Sequence, residues 1–510
     1  PMWLNRDIGT HEVGDDPYHR LYYTQAARRI SEYYGNHPSF LFFSNGNENM
    51  GDFELLDDLI TQTKAYDPRR FYTLTSNFDH PVLPSEDYFS AFDAKGQRIR
   101  VQGHLYDESC KHSCNHYNEA VASMPLPLIS FETGQYAVYP DLDIIEDYSG
   151  NMLPVNFMAI RDSMQKAGIY EKRRAYTEAS GKFAELLYKE DIESALRTED
   201  FGGFQLLALS DYTGQGTATV GMLDVFFREK AFFKPEKFRT FAGPVVPLFQ
   251  AKRLFADEDV IDAELSLYDF GKTPVREPLF HLRLSDENGR LLFEEKTHEP
   301  SILIPLENIP RPNRLTVSLA VEDYENRYEI FLCEKNAAKP DLPILESAED
   351  VRALAAEGGI GLLPAGLFKE QLPGNFFPVF WSPAHFPSEA ACGALIEAAH
   401  PVFPGLPTGI LFHYQWKEPL EKASCLPLKN LPEAVKPLIE MVPNFMTNNP
   451  ASPLFEFRCG KGRFLCSGFD CEAEDPANLQ LQRSITAYLA SEAFRPKAEW
   501  PEEDLTAKLI

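Results

Sequence analysis

The sequence predicts a multidomain protein whose first part is an α/β domain with a parallel sheet. The chain has 510 residues, which is enough for about three domains of ordinary size. Residues 1–235 alternate helical patterns with short apolar runs, as parallel βα units do when their strands are buried on both faces. Residues 236–335 lose the helical pattern, which predicts an immunoglobulin-like β-sandwich, and residues 336–510 return to mixed character.

The elements of the first domain follow from periodicity and from the residues that interrupt it. The segment Gly35-Asn36-His37-Pro38 ends one helical pattern before a short run of strand length. Along the chain, the pattern predicts helices over 17–34, 55–65 and 173–196, and strands within 39–44, 70–75, 98–106, 126–131 and 203–209.

The second and third domains carry different signals. Alternation over 263–268 and 315–321, with a hairpin about Asn288-Gly289, predicts the sandwich, and residues 334–343 resemble a linker. Ser347 and Asp350 form a capping-box pattern that opens a helix over 351–357, before an apolar run at 360–363. A strand over 463–469 and a helix over 478–490 complete the expectation of a flavodoxin-like or amidotransferase-like α/β domain.

Composition excludes several classes of function. The chain has 76 Asp plus Glu against 49 Lys plus Arg and a net charge of −27, which excludes a general nucleic-acid binder and disfavours anionic membranes. A hydrophobic content of 44% excludes disorder as the main state, and no apolar run is long enough to span a bilayer. Eight cysteines are too few for a disulfide scaffold.

The opening residues show no targeting signal. Pro1-Met2-Trp3 lacks the basic start and the apolar centre of a signal peptide, so the chain is expected to begin inside a longer protein. The compartment is therefore not predicted from these residues, although a periplasmic or extracellular location is favoured for a bacterial source.

Two glutamates follow apolar strands in the first domain. Glu48 ends the segment Phe43-Ser44-Asn45-Gly46-Asn47-Glu48, and Glu132 lies in Leu128-Ile129-Ser130-Phe131-Glu132. Parallel α/β barrels place their active sites at the carboxyl ends of the strands. Paired carboxylates suit glycoside hydrolysis, in which one protonates the leaving oxygen and the other, roughly 5 to 5.5 Å away in retaining enzymes, attacks the anomeric carbon.

These motifs resemble glycoside hydrolase family 2, which includes β-galactosidases, β-glucuronidases and β-mannosidases. The likeness rests on His37-Pro38-Ser39-Phe40 running into Gly46-Asn47-Glu48, and on Phe131-Glu132-Thr133-Gly134, and it covers residues 1 to about 335, as the C-terminal part of such an enzyme. It implies a (β/α)8 TIM barrel that here lacks its first strands. It further implies Glu48 as the general acid/base and Glu132 as the nucleophile.

The same resemblance implies a set of substrate-binding residues. Asn47 would bind the sugar 2-hydroxyl, and Tyr106, in His104-Leu105-Tyr106 of the sixth strand, would orient the nucleophile. Trp3 would follow the third strand, and Asp211 would line the sugar pocket from the eighth loop. His104 and Tyr106 could instead fill the barrel mouth, and Asp211 could belong to an ordinary turn. Gln205-Leu206 stands where many members have a Trp, which leaves the sugar undetermined.

A separate cluster offers metal-ligating side chains. Cys110, His112, Cys114 and His116 lie within seven residues, but side chains so close in sequence cannot all converge on one ion. A loop with free thiols is the favoured interpretation. No metal and no cofactor is predicted.

The predicted function is a retaining exo-β-glycosidase, most similar to β-galactosidases, that acts by double displacement on an oligosaccharide or glycoside. One alternative is a non-catalytic carbohydrate-binding or scaffolding protein that keeps the fold. Another is an endo-acting mannanase or a transglycosidase on the same barrel. A homo-oligomer is compatible with each of these predictions.

Overall fold

The computed structural model describes residues 12–13, 17–77, 79–101, 111–149, 151–335, 338–387, 391–406, 408–409 and 413–510. The chain divides into two compact units. Unit 1 comprises residues 1–102, 115–134 and 191–207, and unit 2 comprises residues 103–114, 135–190 and 208–510. The division into domains 1–235, 236–335 and 336–510 stays a prediction.

Unit 1 contains short strands and amphipathic helices. Its helices are α1 (Pro17–Tyr34), α2 (Phe53–Tyr66) and α3 (Asn118–Ser123). Its strands are β1 (Glu12–Val13), β2 (Phe42–Ser44), β3 (Met50–Gly51), β4 (Phe71–Thr73), β5 (Ser76–Asn77), β6 (Phe89–Ala91), β7 (Asp93–Ala94), β8 (Gln97–Arg98), β9 (Leu128–Gly134) and β10 (Gly203–Leu207). The expected helix over 17–34 is confirmed at both ends.

The strands that position the site are parallel. β5, β6, β9 and β10 pair in the order β10-β9-β6-β5, and β2 pairs with β4. A parallel bridge between Asn47 and Ser76 connects the residues after β2 to β5. Buried side chains of α1, α2, β2 and β4 form one core, which contains Tyr23, Ala27, Phe43, Leu55, Leu56, Leu59, Ile60, Tyr72 and Leu74.

The predicted barrel lacks its first strands, and no closed barrel is found among the described strands. Among the described strands, β2 and β10 have no pairing with each other, so the parallel sheet is open there. Between β5 and β9 the sheet contains β6 (Phe89–Ala91), and residues 102–106 of the strand predicted within 98–106 lie outside the described residues. The sequence pattern did not predict β6, because a strand of three residues is too short to show periodicity.

The first half of unit 2 joins helices to a two-sheet sandwich. The helices are α4 (Val155–Lys166), α5 (Arg173–Leu196), whose last turns belong to unit 1, and α6 (Pro235–Ala242). The strands are β11 (Val245–Gln250), β12 (Leu254–Phe255), β13 (Val260–Asp269), β14 (Phe280–Ser285), β15 (Leu291–Thr297), β16 (Ser301–Pro305), β17 (Asn313–Val321) and β18 (Tyr324–Leu332). The helix predicted over 173–196 is confirmed.

Alternating burial along these strands explains why the two sheets pack. One sheet has the order β11-β13-β16 and the other β12-β18-β17-β14-β15. Along β17, and along the first six residues of β13, every second side chain is buried. These buried side chains lie on one face, which gives each sheet one apolar face. The expected hairpin about Asn288-Gly289 is confirmed, since β14 and β15 pair antiparallel and Gly289 has a φ of 77°.

The last part of unit 2 contains a mixed sheet with flanking helices. The helices are α7 (Ala348–Glu357), α8 (Lys417–Glu421), α9 (Pro476–Ala490) and α10 (Glu502–Lys508). The strands are β19 (Gly359–Pro364), β20 (Leu372–Pro373), β21 (Gly393–Ile396), β22 (Ser424–Pro427), β23 (Pro437–Val442), β24 (Ala451–Cys459) and β25 (Gly462–Ser467). Short 3₁₀ helices of unit 2 are Leu142–Asp147, Tyr170–Lys172, Thr213–Gln215, Ala365–Leu367, Tyr414–Trp416 and Leu428–Asn430.

The prediction of a flavodoxin-like or amidotransferase-like sheet is wrong. Such a sheet is largely parallel, with helices as crossovers, but here β19–β25 is parallel while the pairings of β24 with β22, β23 and β25 are antiparallel. Gly460 and Lys461 alone join β24 to β25, and a two-residue connection can join only antiparallel strands. The capping box is confirmed: Ser347 accepts from the backbone of Asp350, whose side chain accepts in return.

No helix in the described ranges is both long enough and apolar enough to cross a membrane.

We expect Trp500→Ala to lower the free energy of unfolding by about 3 to 5 kcal/mol, because it opens a cavity in the last part of unit 2. Trp500 is fully buried against Phe368, Phe455 and Phe457. Its Nε1 has no hydrogen-bond partner among the described residues. Trp500→Phe keeps a ring and removes this unpaired donor, so its cost should be well below that of Ala. Urea unfolding followed by circular dichroism measures both, with exposed Phe270→Ala as the control. Equal losses for Ala and Phe would contradict this prediction.

Candidate active site

The loop after β2 carries Asn47 and Glu48 along the edge of the next strand. The backbone N–H of Glu48 donates to the carbonyl of Ser76 at 2.8 Å, and the N–H of Ser76 donates to the carbonyl of Gly46 at 3.1 Å. Both Asn47 and Glu48 are half-buried. These bonds extend the parallel pairing past the end of β2, so the backbone that carries Glu48 is fixed relative to β5.

Side-chain contacts on either side of this segment restrict it further. A Cβ at Gly46 would lie 2.1 Å from Nδ2 of Asn49, so a larger residue here would displace the Asn49 side chain. The N–H of Asn49 donates to Oγ1 of Thr75 at 2.9 Å, and Oγ of Ser76 lies 3.1 Å from that of Ser44. The asparagine of the predicted Asn-Glu pair therefore lies in a tightly determined loop.

Glu132 lies in a bulge of β9. Ser130 pairs with Phe204 and Thr133 pairs with Leu206, so Phe131 and Glu132 together oppose one residue of β10. Oγ of Ser130 and Oγ1 of Thr133 lie 2.8 Å apart across the bulge. A bulge redirects the side chains at the end of a strand, and here the redirected, half-buried residue is Glu132.

Two polar side chains that sequence reasoning missed hold this bulge. The guanidinium of Arg100 donates to the carbonyls of Phe131 and Glu132, at 3.2 and 2.8 Å, and lies 3.9 Å from the centre of the Phe92 ring. Asp191 is buried, and its two oxygens accept from the N–H groups of Val101 and Gly134, at 2.9 and 3.1 Å. Both residues are distant in sequence from Glu132, so no local motif could reveal them.

Glu48 and Glu132 share an unusual backbone conformation. Their φ angles are 52° and 51°, in the left-handed region where a side chain with a Cβ is disfavoured. Such residues cost about 1 to 3 kcal/mol each and cluster at functional sites. Glu48 follows β2, and a bridge from the adjacent Asn47 to Ser76 joins this loop to β5, while Glu132 lies near the carboxyl end of β9.

The other predicted site residues are placed differently. Trp3, His104 and Tyr106 lie outside the described residues. Asp211 belongs to unit 2, where Oδ1 accepts from the N–H of Gly221 at 2.8 Å and the carboxylate pairs with Lys230 at 2.9 Å. Burial raises the pKa of Asp211 above its ordinary value, and Lys230 opposes that shift. A substrate contact for Asp211 stays a prediction.

The segment around Cys114 offers no assembled metal site in the part of the chain that the structure describes. Nδ1 of His112 accepts from the N–H of Cys114, and Nδ1 of His116 accepts from the N–H of Asn118. Cys110 lies outside the described residues. Local backbone contacts therefore occupy one ring nitrogen of each histidine.

Comparison with known families gives two matches. Residues 2–129 match the profile described as "Glycosyl hydrolases family 2, TIM barrel domain". Residues 345–509 match a "Domain of unknown function (DUF8487)". The predicted resemblance is thus supported at the coarse level, at the N-terminal end of the chain and over a shorter span than predicted. The match supports a glycoside hydrolase without assigning its catalytic residues.

Several solved structures show some likeness to this chain. An FMN-binding β-glucuronidase from Facaelibacterium prausnitzii L2-6 is 14% identical, with a TM-score of 0.30 over 65% of this chain and 46% of that one. A β-galactosidase, described as putative, from Bacteroides fragilis is 15% identical, with a TM-score of 0.28 over 62% and 44%. An exo-chitosanase from Amycolatopsis orientalis is 11% identical, with a TM-score of 0.33 over 63% and 40%. The chain spans less than half the length of these proteins, and no curated protein matches it.

We expect Glu132→Gly to be more stable than Glu132→Ala by about 1 to 2 kcal/mol, because glycine adopts a left-handed φ without a Cβ clash. Glu48 should show the same order. Urea unfolding of the four variants measures the difference. Gln62, exposed in the middle of α2, is the matched control, where Ala should exceed Gly by about 1 kcal/mol. The same order at Gln62 and at Glu132 would contradict the assignment of backbone strain.

Proposed function

We propose that the protein is a retaining exo-β-glycosidase, most similar to β-galactosidases, that hydrolyses terminal β-linked sugars. Glu132 is the nucleophile and Glu48 the general acid/base. The observation that carries the proposal is a pair of glutamates near the carboxyl ends of two strands with parallel pairing, β2 and β9, each held in the left-handed region. The family match over residues 2–129 supports the same class of reaction.

The proposed reaction has two steps. In the first, a carboxylate oxygen of Glu132 attacks the anomeric carbon while Glu48 donates its proton to the leaving glycosidic oxygen, so that the aglycone departs as an alcohol. In the second, Glu48 removes a proton from water, whose oxygen displaces Glu132 from the anomeric carbon. Each step inverts the centre, so the configuration is retained overall.

The surroundings of Glu132 support its role as nucleophile. Arg100 donates to the backbone carbonyl of Glu132 itself, so we assign it as a positioning residue for the bulge. A carboxylate nucleophile gains from such fixation because misplacement by a fraction of an ångström raises the barrier. Asn47, adjacent to Glu48 and half-buried, is proposed to bind the sugar 2-hydroxyl.

A non-catalytic carbohydrate-binding protein is the second candidate. The family match over residues 2–129 is equally compatible with it, because the match identifies a domain and assigns no catalytic residue. Calorimetry with an oligosaccharide panel, together with aryl-glycoside turnover by the full-length protein, separates the two candidates. Binding without turnover would favour the second.

We expect Glu132→Ala to reduce turnover of aryl β-glycosides by about 10⁴-fold or more, because the covalent intermediate cannot form. Azide should restore part of the rate by attacking the anomeric carbon directly, giving an α-glycosyl azide. Nitrophenol release and product NMR measure both effects. Exposed Glu119→Ala in α3 is the control and should retain activity. Undiminished turnover in Glu132→Ala would overturn the assignment of the nucleophile.

We expect the loss of turnover in Glu48→Ala to depend on the leaving group of the substrate. Glycosides with poor leaving groups need a proton from the acid, so their turnover should fall by about 10²- to 10⁴-fold. A dinitrophenyl glycoside needs no such proton, so its glycosylation step should be nearly unaffected. With azide the product should be a β-glycosyl azide, formed from the intermediate on Glu132. An equal loss for both substrates, or an α-azide product, would contradict this role for Glu48.

A further inference from the structure

Unit 2 contains an open cavity of about 740 Å³ that the proposed glycosidase reaction does not use. Its walls come from α5, α6, β17, β18 and residues 409 and 413, all of which belong to unit 2. This volume lies within the range of sites that bind small molecules.

The cavity is cationic although the chain is strongly acidic. Against a net charge of −27 for the protein, five cationic side chains line the cavity, and only three carboxylates do. The cations are Lys182, Lys189, Lys237, Arg314 and Arg327. A local excess of positive charge in an acidic protein focuses anions toward that position.

Arg314 differs from the other cations of the cavity. Three of them already pair with carboxylates, in the pairs Lys182–Glu178, Lys237–Glu185 and Arg327–Glu325. Arg314 is half-buried and has neither an ion pair nor a side-chain hydrogen bond to any described residue. A Cβ at Gly409 would lie 2.9 Å from its Nη1, so the backbone at Gly409 closely confines the guanidinium. Its fork of donors is therefore available to an anion.

Two carboxylate oxygens of the same cavity lack hydrogen-bond donors among the described residues. Glu185 is 7% exposed, and its Oε2 lies 2.5 Å from Nζ of Lys237, but its Oε1 is buried without a partner. Oε2 of Glu329 is also buried without a hydrogen bond, 3.5 Å from Nε2 of His413. A buried acceptor without a donor costs about 1 to 3 kcal/mol, so both atoms call for a ligand that donates.

His413 does not neutralise Glu329. Burial lowers the pKa of His413 to about 4, with Glu329 opposing the shift and Arg253 and Arg314 adding to it. The ring is therefore uncharged at neutral pH. Its Nδ1 accepts from the N–H of Tyr414 at 2.9 Å, which leaves the ring proton on Nε2.

Several contacts hold Lys189 at the wall of the cavity. Nζ of Lys189 lies 2.7 Å from Oδ1 of Asn326 and 4.2 Å from the centre of the Tyr328 ring. The ring of Phe241 lies on the other side, 5.5 Å from the same nitrogen. Fixed walls of this kind favour a small ligand of defined shape over a loosely held counter-ion.

We propose that this cavity binds an acidic sugar, a small molecule that carries one anionic group together with several hydroxyl groups. The anion pairs with Arg314, and hydroxyl groups donate to Oε1 of Glu185 and Oε2 of Glu329. A simple inorganic anion would leave both carboxylate oxygens without donors. A neutral sugar would leave Arg314 without its anion. The anionic group is a carboxylate or a phosphate, since Arg314 recognises both.

Calorimetry on the full-length protein tests the proposal with D-glucuronate, D-glucose 6-phosphate, D-glucose and inorganic phosphate at low salt. The two acidic sugars should bind more tightly than either glucose or phosphate. Arg314→Gln should weaken the binding of the acidic sugars by about tenfold or more, because a charged hydrogen bond is lost. Glu329→Gln removes both an acceptor and a negative charge, so it should weaken the binding of the acidic sugars relative to that of phosphate.

Matched controls separate this site from the proposed glycosidase site. Arg290→Gln, an exposed arginine of the β14–β15 hairpin, should leave every affinity unchanged. All three variants should retain aryl-glycoside turnover and the unfolding profile of the parent. Whichever of D-glucuronate and D-glucose 6-phosphate binds more tightly identifies the preferred anionic group as a carboxylate or a phosphate. The proposal is overturned by absent binding, by equal affinity in Arg314→Gln and the parent, by phosphate binding as tightly as the acidic sugars, or by binding that Glu132→Ala abolishes and Arg314→Gln does not.

Discussion

Two backbone hydrogen bonds between the loop after β2 and the segment that contains β5 determine where Glu48 lies. They join Glu48 to Ser76 and Ser76 to Gly46, and they continue the parallel pairing beyond the last regular residue of β2. Parallel pairing aligns the carboxyl ends of β5, β6 and β9 at one edge of their sheet, and the Asn47–Ser76 bridge joins the residues after β2 to β5. Without this extension the parallel pairing would end at Ser44. Side-chain contacts alone would then determine the position of Asn47 and Glu48.

The end of β9 is held in another way. Its backbone departs from the ladder at the bulge, so ladder bonds cannot fix Glu132, and two charged side chains replace them. Arg100 binds the carbonyls of the bulge, and Asp191 binds the N–H of Gly134 just beyond it. Hydrogen bonds from charged groups to the backbone are stronger than neutral ones, so they suit a segment held in an unfavourable conformation. Burial of Asp191 is tolerable because both of its oxygens accept N–H groups.

Long periodic elements were predictable from the sequence, and short or long-range features were not. The helices α1 and α5 begin and end where the pattern predicts, because many residues repeat at the helical spacing. The capping box at Ser347 and the hairpin at Gly289 were also visible, since each depends on residues close in sequence. The direction of the strands after Gly359 was not visible, because an apolar run looks the same in parallel and antiparallel sheets.

The candidate site shows the same limit. A motif identifies Glu48 and Glu132, but it contains no information on the φ angles of these residues or on Arg100 and Asp191. Those contacts join positions 32 and 57 residues apart in the chain. They arise from the fold and not from local sequence.

The left-handed backbone at Glu48 and Glu132 bears on how this chain would change over many generations. Glycine or asparagine at either position would relax the backbone without disturbing the core, so ordinary mutational drift favours those residues where no carboxylate is required. Both positions nevertheless hold glutamate. The two glutamates therefore stand at positions where glycine would cost less stability, a property they share with eight other non-glycine residues of positive φ in the described part of the chain. A relative that carries Gly or Asn at both positions is expected to gain stability there and to lack the proposed glycosidase reaction.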